Sequence, residues 1–257
     1  MLSRNFRLQK VGGLDWLKSN YNFSQIAYSI DELVVLDISR GQKNLTEFCT
    51  ALKRLAEDCF VPIAAGGGVC STASAHTLLR SGADKIVVNS ALFENSNFID
   101  QLASEFGRQC IVASMDVKES ADGSYQVWSN HGTRCLDGAA DNWVRQISHS
   151  SVGELYLNSI DRDGTGQGYD LGVLNLLPAD ISIPLILAGG VGNAAHLAVG
   201  LADSRVDAVA TANLFNFIGD GLTVARESLI AAGVQLPVWD TQFLQKHLNH
   251  PHSGASD

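Results

Sequence analysis

The sequence predicts a closed (βα)8 barrel, a TIM barrel, made of two duplicated half-barrels. Apolar strands alternate with helical segments about every 20–30 residues, which is typical of βα units around a parallel sheet. A strand followed by a glycine turn occurs twice, at Val61–Val69 and Ile183–Asn193, with an offset of 122 residues between Pro62 and Pro184. Polar residues follow several strands, and barrels carry their chemistry at the C-terminal ends of strands. The duplication favours a closed barrel over an open doubly wound sheet.

The offset of 122 residues relates more than the two glycine turns. It also pairs Glu32-Leu33 with Glu154-Leu155, Arg40 with Arg162, Gly67-Gly68 with Gly189-Gly190, and Leu92-Phe93 with Leu214-Phe215. Glycine lets backbone N–H groups approach an anion at a helix N-terminus. The repeat therefore predicts two halves, 32–93 and 154–215, each with a phosphate-type turn, although such a turn alone can simply reverse the chain.

The individual elements follow from the apolar pattern. Asn5–Val11 alternates and is expected to be a strand or one arm of a hairpin, and a polar insertion, Lys118–Gly138, is expected to hold a hairpin at Tyr125–Trp128 that turns at Asn130-His131-Gly132. Continuous apolar runs indicate strands buried on both faces, and three- or four-residue spacing of apolar residues indicates helices. Strands are expected at Leu33–Ile38, Pro62–Ala65, Lys85–Asn89, Ile111–Val117, Leu155–Ile160, Pro184–Ala188 and Asp207–Thr211, and helices at Leu45–Glu57, Ala73–Arg80, Asn97–Phe106, Trp143–Ser148, Leu171–Leu177, Ala194–Leu201 and Leu222–Ala232.

These seven strands are one fewer than a (βα)8 barrel needs. The strand ending in Asp116 opens the second half, and its equivalent 122 residues earlier would precede Met1. The first strand of the barrel is therefore expected to be missing from this chain. Either Asn5–Val11 fills the gap, or the start is placed too late, or the barrel is incomplete.

Composition excludes several classes of function. The chain has 257 residues, 46% of them hydrophobic, a mean hydropathy of +0.06 and a net charge of −9, so it can bury a core and offers no basic surface for nucleic acid. No apolar run reaches the roughly 18–20 residues that span a bilayer. The five cysteines are scattered, which predicts a reduced cytoplasmic protein. We expect one barrel domain over 1–235 and a loosely ordered tail over 236–257.

Over nearly the whole chain the residues resemble the cyclase subunit of imidazole glycerol phosphate synthase. The segments that carry the resemblance are Asp31–Asp37, Gly66–Gly68, Gly82–Asn89, Phe106-Gly107, Ser114–Val117, Asn158–Thr165, Gly168–Asp170 and Ala188–Gly190. The combination of the Asp161-Arg-Asp-Gly-Thr165 loop with both glycine turns is the most specific feature. That family is a half-barrel duplication with two phosphate sites, and it receives ammonia from a glutaminase docked at the N-terminal face of the barrel.

The resemblance implies roles for individual residues. Gly67-Gly68 with Asn89 and Ser90 would hold one phosphate of the substrate, and Gly189-Gly190 with the backbone near Asn213 would hold the other. Asp116 matches one of two catalytic carboxylates and Asp163 an acid of the substrate loop. The remaining substrate-binding candidates are Asp37, Asn158, Gly164 and Thr165. At the barrel floor the ammonia entrance would be lined by Glu32, Lys85 and Glu154, which otherwise form an ordinary ion network.

Several positions depart from the family pattern. The second catalytic aspartate belongs to the absent first strand, the expected hairpin lysine falls near Leu2, and Ser39-Arg40 and Asn130–Thr133 replace the usual residues. These departures resemble a paralogous branch that works on surface polysaccharide.

Two functions are therefore expected, neither with a metal or cofactor. The first is the cyclase of histidine biosynthesis, which uses ammonia from the glutaminase to cyclise and cleave a bis-phosphorylated formimino ribonucleotide. The second is a non-cyclising paralogue that channels ammonia from a glutaminase to a sugar amidotransferase during acetamidino sugar synthesis. A third hypothesis is a sugar-phosphate isomerase, which the Asp161–Thr165 loop disfavours.

Overall fold

A computed structural model describes residues 2–9, 13–16, 26–212 and 221–238 of the chain. The strands are β1 (Leu2–Arg4), β2 (Arg7–Gln9), β3 (Leu33–Leu36), β4 (Ile63–Gly66), β5 (Lys85–Val88), β6 (Ile111–Glu119), β7 (Tyr125–Ser129), β8 (Arg134–Cys135), β9 (Glu154–Ser159), β10 (Leu185–Ala188) and β11 (Ala208–Val209). The helices are α1 (Leu45–Ala56), α2 (Thr72–Leu79), α3 (Ser90–Glu94), α4 (Ser96–Phe106), α5 (Ala140–Ser148), α6 (Ala194–Leu201) and α7 (Gly221–Ala231). None of these helices is long and apolar enough to cross a membrane.

Seven parallel strands form the sheet of a (βα)8 barrel, as predicted. Their order is β3-β4-β5-β6-β9-β10-β11, and each pairs in parallel with its neighbours in that order. β7 pairs antiparallel with β6, and β8 with β7, so the expected hairpin is an extension of the strand that carries Asp116. Among the described residues β3 and β11 each pair with one parallel strand.

The apolar residues of these strands divide between two faces of the sheet. The main core lies between the sheet and the helices and contains Leu52, Leu102, Leu155 and Leu185 at 0% exposure. A smaller cluster, Ala64, Val87 and Val112 with Val34 and Tyr156 against it, occupies the other face, inside the barrel. Because both faces are covered, the strands are continuously apolar rather than alternating.

The internal repeat is visible in the bounds of the strands and helices. β4 and β10, and likewise α2 and α6, coincide at an offset of 122. In the next strand the register changes: Ala64 pairs with Lys85, whereas Ile186 pairs with Ala208, so positions 85 and 208 are equivalent at an offset of 123. The second half therefore carries one extra residue between α6 and β11.

Arg4 pairs with Arg7, so β1 and β2 form a separate two-stranded hairpin, which confirms the expected hairpin arm within Asn5–Val11. The described part of that segment does not supply an eighth barrel strand. One local expectation needs correction. Leu171–Leu176 is a 3-10 helix rather than an α-helix. Gly172 lies within it and Pro178 follows it, and both residues disfavour a regular helix.

At the C-terminal end, Val234 and Leu236 pack against the core, and Arg226 of α7 donates a hydrogen bond to the Pro237 carbonyl. The rest of the predicted tail, 239–257, lies outside the described residues.

Candidate active site

Asp116 is held by one amide from each neighbouring strand. Its carboxylate is 8% exposed near the end of β6. Asn89, directly after β5, donates from Nδ2 to Oδ2 at 2.8 Å, and Asn158 of β9 donates from Nδ2 to Oδ1 at 3.0 Å. Since β5 and β9 flank β6, the parallel register itself brings these three side chains together.

The environment of Asp116 makes it a candidate proton donor and acceptor. Burial raises its pKa to about 6, the two amide donors oppose this rise, and the charge of Asp163 adds to it. A carboxyl group with a pKa near the working pH exchanges protons with a substrate efficiently. The burial that positions Asp116 therefore also tunes it for general acid/base chemistry.

The same burial predicts a cost in stability. The folded-state pKa lies above the ordinary 3.8, so the folded state binds more protons than the unfolded chain between about pH 4 and 6, and stability falls as the pH rises through that window. Asp116→Asn should remove this cost. We expect the variant to be more stable than wild type above pH 6, by up to about 3 kcal/mol, and to lose that advantage near pH 4. Urea unfolding at pH 4 and pH 8 measures the effect, and an equal gain at both pH values would contradict it.

The first glycine turn follows β4 and contacts Asp37. Gly67 and Gly68 have φ of +106° and +84°, and a Cβ at Gly67 would lie 2.2 Å from the Asp37 carbonyl oxygen. Lys43 covers the turn: its Nζ donates to the Asp37 carbonyl at 2.6 Å, and its stem lies where a Gly68 side chain would be. The turn therefore has a lysine beside it that the sequence reasoning missed. The sequence pattern gives little indication of this lysine, because Lys43 lies in a loop six residues after Asp37.

Asn89 and Ser90 lie beside this turn with their side chains already engaged. The Asn89 amide binds Asp116, and Ser90 Oγ accepts a hydrogen bond from the Asn130 N–H at 3.2 Å.

The second glycine turn is built the same way and lies against the loop after β9, residues 160–170, which the resemblance assigns to the substrate and which we call the substrate loop. Gly189 and Gly190 have φ of +92° and +105°, and a Cβ at Gly190 would lie 2.1 Å from the Gly168 carbonyl oxygen. Gly168 in turn donates its N–H to the Gly190 carbonyl at 2.7 Å. The turn leads into α6, where the Asn193 side chain accepts a hydrogen bond from the His196 N–H. Asn213, expected near this phosphate, lies outside the described residues.

The substrate loop is ordered by its own backbone and by the β1–β2 hairpin. The Asp163 N–H donates to the Ser159 carbonyl at 3.0 Å, Thr165 Oγ1 donates to the Arg162 carbonyl at 2.7 Å, and Gly164 has a φ of +67°. The Asn5 N–H donates to the Asp163 carbonyl at 2.8 Å. Asp163, Gly164 and Thr165 therefore lie at the mouth with Asp116, and the hairpin tip lies over them.

The floor residues also come together as predicted, at the opposite end of the strands. Lys85 Nζ lies 2.5 Å from Glu32 Oε2 and 2.6 Å from Glu154 Oε1. Burial raises the pKa of Glu32 despite the lysine, and the two carboxylates raise the pKa of Lys85 although burial opposes this. Glu32 Oε1 and Glu154 Oε2 are buried and have no hydrogen-bond partner among the described residues. The floor thus has two carboxylates for one ammonium group.

Within the described ranges, no group of three or more His, Cys, Asp or Glu side chains is arranged to hold a metal ion. The five cysteines are free thiols. Tyr125 in the hairpin insertion donates to Asp170 at 2.8 Å, which ties β7 to the end of the substrate loop, a contact that the sequence reasoning did not find.

Comparison with known proteins identifies the family of the chain. The sequence profile of the family described as "Histidine biosynthesis protein" matches residues 20–219. A protein of Parasynechococcus marenigrum (strain WH8102), named "Putative imidazole glycerol phosphate synthase subunit hisF2", is 42% identical over 226 residues, which cover 88% of this chain and 84% of that protein.

Proposed function

The chain belongs to the histidine biosynthesis protein family, and from that membership we propose that it is a cyclase-type subunit of imidazole glycerol phosphate synthase. The proposed reaction uses ammonia to close an imidazole ring on a bis-phosphorylated formimino ribonucleotide and to cleave it. The products are imidazole glycerol phosphate and an aminoimidazole carboxamide ribotide. Ammonia comes from a glutaminase partner.

The observation that carries this proposal is the placement of Asp116 between two amide donors and between two glycine turns. Ring closure and cleavage both require proton transfers, and a buried carboxyl with a pKa of about 6 suits both directions of transfer. Gly67-Gly68 and Gly189-Gly190 belong to equivalent positions of the two halves. A substrate with a phosphate at each end would span the mouth and place its reacting centre over Asp116.

The floor supports the proposed supply of ammonia. Two carboxylates around Lys85 leave a net negative charge, which favours an approaching ammonium ion, and the network lies at the strand ends farthest from Asp116. In this proposal the glutaminase docks on that face.

The floor network also supports the second candidate, a non-cyclising paralogue that passes ammonia to a sugar amidotransferase. All three members of the Glu32–Lys85–Glu154 network are in contact. At the other end of the strands, Asp116 is held by two amides, and no second carboxylate is held in this way among the described residues. Conduction of ammonia needs the floor and does not need Asp116.

One assay separates the two candidates. The purified chain is supplied with the formimino ribonucleotide and an ammonium salt, and formation of imidazole glycerol phosphate is measured. Turnover supports the cyclase. If the chain forms no product yet stimulates a glutaminase and sugar amidation, the conduit is correct and the cyclase proposal fails.

Lys85→Met tests the floor. We expect a several-fold lower rate at limiting ammonia, because two half-buried carboxylates without their lysine repel each other and rearrange the entrance. The affinity for the phosphorylated substrate should not change, since that site is at the opposite end of the barrel. Lys53→Met on the exposed face of α1 is the matched control. If Lys85→Met lowers the affinity for the phosphorylated substrate as much as it lowers the rate at limiting ammonia, the network only supports the fold.

A further inference from the structure

Trp128 stands on the same face of the sheet as Asp116. The two residues are register partners in the antiparallel β6–β7 pair, and directly opposite residues share a face. The next pair along, Val117 and Val127, is fully buried in the core beneath the helices. Since side chains alternate between faces, Asp116 and Trp128 point to the other side, toward the barrel mouth.

Lys118 fixes the ring from the same side. It lies two positions after Asp116 on β6, and its Nζ is 5.4 Å from the centroid of the Trp128 ring. A cation at this distance over an indole face is attracted to it. The ring therefore has a charged neighbour two positions along the strand from Asp116.

The indole N–H of Trp128 is buried and has no hydrogen-bond partner among the described residues. This group can only donate, and buried polar groups in folded proteins are almost always paired. A lone donor on the face of Asp116 is explained if its acceptor is an oxygen of the ligand.

We infer that Trp128 positions the substrate by donating its Nε1–H to a substrate oxygen above Asp116. This inference rests on the proposed function, and the acceptor belongs to the phosphorylated ribonucleotide, as a hydroxyl, carbonyl or phosphoryl oxygen. Trp128 is a substrate-binding residue in this assignment. Asp116 transfers the protons.

Trp128→Phe is the direct test because it keeps an aromatic ring and removes only the donor and the second ring. Binding of the formimino ribonucleotide is measured by calorimetry, and kcat and KM are measured with an ammonium salt. We expect Kd and KM to rise about tenfold, the size of one lost hydrogen bond, with a smaller change in kcat. The thermal midpoint of the ligand-free variant should fall by much less than this loss of affinity would suggest, since the removed donor has no partner among the described residues.

Ser129→Ala is the matched control. Ser129 is the next residue along β7, is 1% exposed, and its Oγ is also buried without a hydrogen-bond partner among the described residues, but it points to the helix side of the sheet. The Ser129→Ala variant should leave Kd and KM unchanged. Equal effects of the two variants would show that both act through packing of the hairpin, and the inference would be overturned.

The outcomes also separate this inference from the proposal beneath it. If wild type binds the ribonucleotide and Trp128→Phe binds it equally well, the role of Trp128 is wrong and the cyclase proposal stands. If wild type does not bind the ribonucleotide, both fail.

Discussion

Asp116→Asn is expected to lower the rate of ammonia-dependent cyclisation by about 10²- to 10⁴-fold, the usual contribution of a positioned general acid or base. The amide keeps the size of the carboxyl but offers one acceptor to the two amide donors. Asn89 or Asn158 therefore has to turn its own amide over and accept from the new NH2 group, which lets the site keep its shape. The new amide cannot bind or release a proton near neutral pH. The measurement is formation of imidazole glycerol phosphate at saturating ammonia, and substrate affinity should change much less than the rate.

The pH dependence of wild type provides a second readout of the same group. Because the pKa of Asp116 is about 6, kcat/KM should change across pH 5–7, rising with pH if the carboxylate acts as the base and falling if the acid acts first. This limb should vanish in Asp116→Asn. Asp180→Asn, at an exposed carboxyl, is the control and should keep both rate and limb. Full cyclase turnover in Asp116→Asn would refute the assigned role of Asp116.

The features that sequence predicted well are those set by local pattern or by the repeat. Apolar runs give the strands. The predicted helix Ala73–Arg80 differs from α2 by one residue at each end, and in the structure α2 and α6 coincide at the offset of 122 that relates the glycine turns. Because parallel register aligns strand ends, the sequence alone places Asp116 and the two glycine turns at one mouth of the barrel.

What sequence could not give depends on contacts between distant segments. Asn89 was predicted to help hold a phosphate, and sequence spacing did not predict the hydrogen bond from its amide to Asp116, 27 residues away. The lysine at 43 became a candidate only when its stem was found against Gly68. Trp128 required the register of the hairpin, since a slip of one residue would point it to the other face. The extra residue between α6 and β11 likewise could not be predicted from composition, because it is seen only in the pairing of the strands.

The glycine turns are where the largest loss of stability is expected. Gly190→Ala should destabilise the fold by about 3 kcal/mol or more, because the new Cβ would lie 2.1 Å from the Gly168 carbonyl oxygen, and the residue keeps a left-handed φ of +105°. Relief requires the turn and the substrate loop to move apart. That movement would break the hydrogen bond from the Gly168 N–H to the Gly190 carbonyl and misplace the N–H groups expected to hold the second phosphate.

Gly233→Ala isolates the part of this loss that comes from the backbone alone. Gly233 also has a left-handed φ, +87°, but a Cβ there would meet nothing within 4 Å. The control should therefore cost only about 1–2 kcal/mol, the strain of a left-handed non-glycine residue, and it should bind substrate as wild type does. Urea midpoints and substrate Kd of the two variants are compared. Similar midpoints would mean that the turn moves easily, and close packing against the substrate loop would then not be the reason for glycine at 190. A large difference in both the urea midpoint and the Kd would tie phosphate binding to the contact between Gly190 and Gly168.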